Sequence, residues 1–478
     1  MKKHLTAEKI PIGSPYMLPT KATMTRPQRG ALMFLPVPMT FERTTRYQLR
    51  FAAYQSLSES TYIGFKMNRL SRVLSILICL LCVSHSSAED WPSWRGADRT
   101  DISTEKGLLH QWPEGGPKQA WLSTKCGVGY SGFAVVGNHV YTMGAYANDV
   151  RLICLDAENG EAKWKTIMTE SVLENGWGDG PRGTPTVDGD HVYALAGEGT
   201  LVCCNAADGK LVWKTNMKDF GGSVPNWGYT ESVLVDGDQV ICTPGGASGT
   251  LLALNKLTGE KVWQSGEFTD RADYSSPIVV EHNGVRQYIQ LTQQTLAGVS
   301  AKDGSVLWSY PWAGRTAVIP TPIYRDGKVY IACGYGVGCA LVRLTEDSAE
   351  EVYENKVMKN HHGGVILVGD HLYGYSDGPG WTCQNFETGE EVWAEKNALG
   401  KGAIACADGQ FYCVSEGDGE VVLIDASPEG WKEKGRFQLN PQSEFRSPRG
   451  KIWTHPTISN GKLFLRDQEI VYCYDIRK

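Results

Sequence analysis

From residue 118 to the C-terminus, apolar and polar positions alternate in short runs, as in Val187-Asp188-Gly189-Asp190-His191-Val192-Tyr193, and Asp-Gly, Asn-Gly or Thr-Gly turns separate the runs. Alternation with period two, bounded by turn residues, predicts β-strands, and no long helical stripe interrupts it. The runs recur as a unit of a short strand, a tight turn, an alternating strand, a second apolar strand, a glycine turn and a strand bearing tryptophan. Four copies end in Asn159-Gly160-Glu161 with Trp164, Asp208-Gly209-Lys210 with Trp213, Thr258-Gly259-Glu260 with Trp263 and Asp303-Gly304-Ser305 with Trp308. A fifth has Asp326-Gly327-Lys328-Val329-Tyr330 with Tyr353 in the tryptophan place, a sixth ends in Thr388-Gly389-Glu390 with Trp393, and two degenerate copies keep Asp408-Gly409 and Asn460-Gly461. The first four tryptophans are 49, 50 and 45 residues apart, the period of a four-stranded propeller blade. The pattern predicts an all-β, eight-bladed β-propeller over residues 118–478, with four antiparallel strands per blade.

The last copy stops at Val471-Tyr472-Cys473-Tyr474-Asp475-Ile476, before any tryptophan strand. Lys118-Gln119-Ala120-Trp121-Leu122-Ser123-Thr124 matches the missing strand and lies ahead of the first full copy. Pairing the two chain ends would complete the eighth blade and remove two open sheet edges, so the ring is expected to close this way.

Upstream, residues 67–88 read as a secretory signal peptide: Arg69 and Arg72 precede an apolar run from Val73 to Val83, and Ser86-Ser87-Ala88 offers small residues for cleavage. The run is too short to span a bilayer as a helix. Met67 then marks the expected start, residues 1–66 are a non-native or disordered extension, and residues 89–117 are a lead segment. The product is expected to be a monomer, periplasmic or extracellular, with no transmembrane segment once the signal is removed.

Beyond residue 88 the chain carries 35 Lys and Arg against 50 Asp and Glu, a formal balance of −15. That sign argues against nucleic acid as a partner. Eleven cysteines also remain there, an odd number set mostly inside apolar strand runs, where a free thiol acts as a small hydrophobe.

The Asp-Gly-Xaa-Val-Tyr and Leu-Xaa-Ala-Xaa-Xaa-Gly-Xaa-Xaa-Xaa-Trp signatures resemble the pyrroloquinoline-quinone (PQQ)-like repeat family over residues 118–478. That family includes quinoprotein alcohol dehydrogenases, polyvinyl-alcohol dehydrogenase-like proteins and scaffolds of outer-membrane protein assembly. Resemblance to the enzymes implies PQQ in the central channel, calcium held by a carboxylate and an amide, an Asp base, a Trp stacked under the cofactor and often a disulfide between adjacent cysteines. Cys203-Cys204 are adjacent, but strand alternation sends them to opposite faces and predicts two buried thiols.

Residues just before each innermost strand should ring one mouth of the channel. Trp177, Arg182, Trp227, Glu231, Asp273, Tyr274, Arg315, His362, Lys401 and His455 make up this expected ring. Singly, each also suits a joint or a solvated loop; together they describe a concave site with convergent polar groups. Glu231 with Asn226 offers an oxygen pair for a hard cation, and Asp273 beside Arg271 or Arg315 offers a base with a charge partner. His361 and His362 are expected to face opposite ways, with His362 and His455 able to meet across the mouth. Two functions remain open at this point. One is a binding or scaffold module for a protein, polymer or small molecule. The other is a PQQ- and calcium-dependent alcohol dehydrogenase.

Overall fold

A computed structural model describes residues 90–478; the stretch expected to be a signal peptide and the extension expected before it lie outside the described residues. Eight antiparallel sheets follow one another around an axis, forming an eight-bladed propeller with four strands per blade. Blade one comprises Ala134–Val136, His139–Ala145, Val150–Asp156 and Ala162–Thr169, and blades two to seven repeat that order. The one helical element among the described residues is the turn Met217–Phe220, capped by Asn216.

Blade eight joins the chain ends. Lys118–Ser123 pairs antiparallel with Ile470–Asp475, setting Trp121 opposite Cys473, so the outer strand comes from the start of the ring and the other three from its end. Arg466, 1% exposed, secures the same joint from within blade eight. Its guanidinium donates to the carbonyls of Gly127, Ser131 and Met143 and to Thr142 Oγ1, all at or entering blade one.

The repeat signature acquires a physical reason at the blade joints. Trp121, Trp164 and Trp213 each donate their indole N–H to a carbonyl in the next blade, at Ala157, Ala206 and Lys256. The glycine turn of that next blade lies flat on the indole. A Cβ at Gly160 would come within 2.4 Å of Trp121, and one at Gly209 within 2.5 Å of Trp164. Both glycines also hold positive φ, so no larger residue suits either place. Tyr353 keeps the pattern where tryptophan is missing, donating its hydroxyl to Phe386 O.

Cores lie between blades rather than within them. Cys203 packs toward blade three with Val240 and Leu252, while Cys204 packs toward blade one with Cys154 and Leu152. The two adjacent thiols therefore face opposite joints, and all eleven cysteines of the described residues are buried and free.

The lead segment is more than a connection. Trp91 exchanges backbone hydrogen bonds with Val135 of blade one, and Pro92 O accepts from Val187 N of blade two. Arg99 donates to Ser232 O and Val233 O at blade three and to Pro277 O at blade four. Trp94 Nε1 reaches Thr321 in blade five, and Arg95 reaches Val365 O in blade six. Ile102–Ser103 adds a parallel strand to blade seven, and the Glu105 carboxylate accepts from the Asn460 and Gly461 amides of blade eight. Residues 91–105 thus touch every blade and fill the axis. At the centre Arg95 and Asp101, each 1% exposed at the side chain, form an ion pair of 2.8 Å.

Candidate functional site

Beside Trp94 the axis opens into a cavity of about 380 Å³. Each blade's first strand starts at this end, so the loops entering the blades supply much of the wall: Tyr130, Trp177, Arg182, Trp227, Tyr274, His361, His362, Trp453 and His455. The loop between a blade's second and third strands returns to the same end and contributes Tyr335 from blade five. Trp94 comes from the lead segment; its ring lies 4.5 Å from that of His455.

The expected ring divides on inspection. Trp177, Arg182, Trp227, Tyr274, His362 and His455 line the cavity; Glu231, Asp273, Arg315 and Lys401 stand outside its lining. Glu231 is 2% exposed, one oxygen accepting from Thr243 N, and burial raises its carboxyl to about 7. Asp273 accepts from Val318 N, and burial raises it to about 6. Arg315 is exposed and forms no ion pair with Asp273. Lys401 instead bonds Asp377 at 2.7 Å and His361 Nδ1 at 2.8 Å.

Alternation misplaced the histidines. His361 and His362 both reach the cavity, with ring centroids 4.9 Å apart. They precede the strand Val365–Val368, and Gly363 and Gly364 adopt positive φ there, so the period-two rule does not govern them. His362 Nε2 is paired with Glu416, which also accepts from Trp453 Nε1. Trp94 and Tyr335 were not singled out by sequence. Strand order alone could have signalled Tyr335, because the second-to-third hairpin ends where the blade begins.

The polar wall is well connected. Arg182 lies over the Tyr130 ring at 5.0 Å and donates to Trp227 O and Gly178 O, leaving Nη1 without a hydrogen-bond partner. Tyr130 donates to Trp177 O, and Trp227 meets Tyr274 edge to face with centroids 5.6 Å apart. Four Trp, three Tyr and three His side chains face the space; no carboxylate or carboxamide does.

The family model described as outer membrane protein assembly factor BamB matches residues 99–195 and 154–395, more than half of the chain. The chain belongs to this family of PQQ-like repeat propellers. By structure, the PQQ-like propeller is similar to BamB from Moraxella catarrhalis, at 15% identity and TM-score 0.53, covering 72% of this chain and 96% of that one. It is also similar to a quinohemoprotein alcohol dehydrogenase from Comamonas testosteroni, at 11% identity and TM-score 0.55, covering 81% of each chain. A europium-containing methanol dehydrogenase matches at 13% identity and TM-score 0.53, covering 79% of this chain and 89% of that one. These likenesses show the fold. No curated protein matches by sequence.

Calcium and PQQ, implied by the enzyme members, can be tested against the residues present. Calcium takes six to eight oxygen ligands, carboxylates above all. The paired candidates do not supply them together: Asn226 is exposed, Glu231 is buried, and the cation near Glu231 is the Arg99 guanidinium. Asp101, further along the axis, is already paired with Arg95. Among the described residues no three His, Cys, Asp or Glu side chains converge on one point. The PQQ–calcium arrangement therefore does not fit this cavity, and Cys203 and Cys204, set at opposite joints, offer no vicinal disulfide. No helix of the described residues is long and apolar enough to cross a membrane.

Proposed function

We propose that this propeller is a secreted binding module whose cavity receives a small ligand, or a protruding group of a larger partner, without a quinone or calcium. The observation that carries the reading is the composition of the wall: seven Trp and Tyr rings around about 380 Å³, with no side-chain carboxylate or carboxamide among them. Aromatic walls bind by apolar burial and ring contacts, and a few polar groups set orientation. An alcohol-oxidising site would need a carboxylate base within hydrogen-bond reach of its substrate; Asp273 and Glu231 stand behind the wall. The likeness to an assembly factor supports a binding role, and the reading of residues 67–88 as a signal peptide supports export.

Two measurements on the purified full chain test this. With PQQ and calcium added, quinone absorbance should show no saturable change and alcohols should reduce no dye; turnover would overturn the proposal. The neutral fluorophore N-phenyl-1-naphthylamine should bind and brighten, and Trp227→Ala should weaken it at least fivefold. Equal binding by the variant would place the ligand elsewhere.

A further inference from the structure

Between the anchors Trp91 and Ile102–Ser103, residues 93–101 form a loop that closes on itself. Gly96 N donates to Ser93 O, Arg99 N to Gly96 O and Asp101 N to Arg95 O, and the Arg95 guanidinium adds Thr100 O to its 2.8 Å pair with Asp101. These internal bonds make the loop one body. They also hold three residues with side chains in the left-handed region, Arg95 at φ 64°, Arg99 at 56° and Asp101 at 61°, a conformation that persists only where the surrounding structure imposes it.

The ties from this loop to the ring differ from those between blades. No apolar side chain from 93 to 101 is fully buried. The loop is held by Trp94 Nε1 on Thr321 Oγ1, Arg95 on Val365 O, Arg99 on Pro277 O, Ser232 O and Val233 O, and Cys406 N on Asp101 O. Water takes the place of each such bond on opening, so each adds little net stability; the blades, by contrast, are joined through buried apolar clusters. Seating the loop also removes water from its cations, and burial depresses the Arg99 guanidinium to about 9. A segment with few buried apolar contacts opens at a lower free energy than the whole fold.

One side of the loop is the floor of the cavity. Trp94 faces the space with His455, their rings 4.5 Å apart, and His455 Nδ1 lies 3.6 Å from Asp101. Gly364, at positive φ, allows that approach: a Cβ there would come within 3.1 Å of His455 and 3.2 Å of Asp101. Building on the binding-module reading, we propose that residues 93–101 are a plug that opens as one unit on a folded ring, and that a ligand seated on Trp94 locks it shut. A ligand that needs the floor binds only the seated form, so occupancy and seating are one linked equilibrium.

Hydrogen exchange of the full chain, read by mass spectrometry on peptides spanning 91–105, tests both halves. At alkaline pH, where labelling outpaces reclosing, these peptides should exchange in one correlated step with a two-peaked mass envelope, while peptides from His191–Leu195 and Leu252–Asn255 stay protected. Arg99→Met, which removes three carbonyl contacts outside the cavity lining, should speed that step by about tenfold and leave blade exchange unchanged. N-phenyl-1-naphthylamine at about ten times its dissociation constant should slow the step by about tenfold. Exchange of 91–105 only together with the blades, or amide by amide with no correlated step, would overturn the plug. A probe that binds yet leaves the step unmoved would overturn the lock. No binding of the probe would sink the binding-module reading and the lock with it, while exchange without the probe still decides the plug.

Discussion

Two stretches of one axis meet at Trp94 and are built on opposite rules. On one side the lead segment fills the channel with charge: Arg95, Arg99 and Asp101 are buried, and their partners are backbone carbonyls, one another and, for Asp101, His455 Nδ1 at 3.6 Å. On the other side the wall is aromatic, the space is left open, and the carboxylates near it are turned to Lys401, to His362 and Trp453, or to backbone amides. An unpaired buried charge is costly, and a ring of eight short inner strands exposes many carbonyls toward the axis. The lead segment answers that need with two guanidiniums. Beyond Trp94 the entry-loop side chains take up loop carbonyls, Arg182 those of Trp227 and Gly178 and Tyr130 that of Trp177, and the axis between them stays open.

The sharpest way to break this contrast is to remove charge from the filled side. Asp101→Ala leaves the Arg95 guanidinium buried without its partner and should cost about 3–5 kcal/mol, read as a fall in urea midpoint. A loss below about 1 kcal/mol would mean that the pair contributes little to holding the axis closed. Trp121→Ala, at the joint of the chain ends, should cost about 3–5 kcal/mol through lost burial and an empty joint. If it proves neutral, the closing strand is held by its backbone pairing and not by its indole.

How much of this was legible beforehand differs between the two stretches for physical reasons. The blades repeat, and repetition multiplies a weak signal: Gly160, Gly209 and Gly259 recur because the same indole contact recurs. Even the closure by residues 118–124 followed from counting strands. The lead segment occurs once, so nothing marked Arg95 and Arg99 as axial; only the assembled ring of carbonyls gives them work. In the cavity, residues preceding each first strand could be listed, but side-chain direction could not. Glu231 and Asp273 turn toward backbone amides, and His361 joins His362 because two glycines end the alternation. Tyr335 sits in the glycine-rich run Cys333-Gly334-Tyr335-Gly336-Val337-Gly338, where neither alternation nor the position before a first strand marks a side chain as lining the channel.

A pH titration sharpens the comparison at the boundary. Glu231 has a folded value of about 7 against an ordinary 4.5, so between those values the folded state binds more protons than the unfolded one. The Glu231 contribution to stability is therefore greatest below pH 4.5, falls as pH rises through 7 and levels off above it. Asp273, at about 6 against 3.8, acts with the same sign but is complete sooner. From pH 6 to 7 the Glu231 contribution should be on the order of 1 kcal/mol. Glu231→Gln should flatten that interval in urea titrations; an unchanged slope would assign it to another group.

The smallest effect on stability belongs to the open side. Trp177 is 41% exposed at the cavity edge, with Arg449 over its ring at 5.8 Å. Trp177→Ala removes little buried area and should shift unfolding by less than about 1 kcal/mol, yet it should weaken any ligand held among the rings. A large loss of stability would mean that the cavity wall supports the ring as the axial segment does, and the two stretches would no longer be distinct. A small loss of stability with a clear loss of binding is what separates a surface kept for a ligand from one kept for the fold.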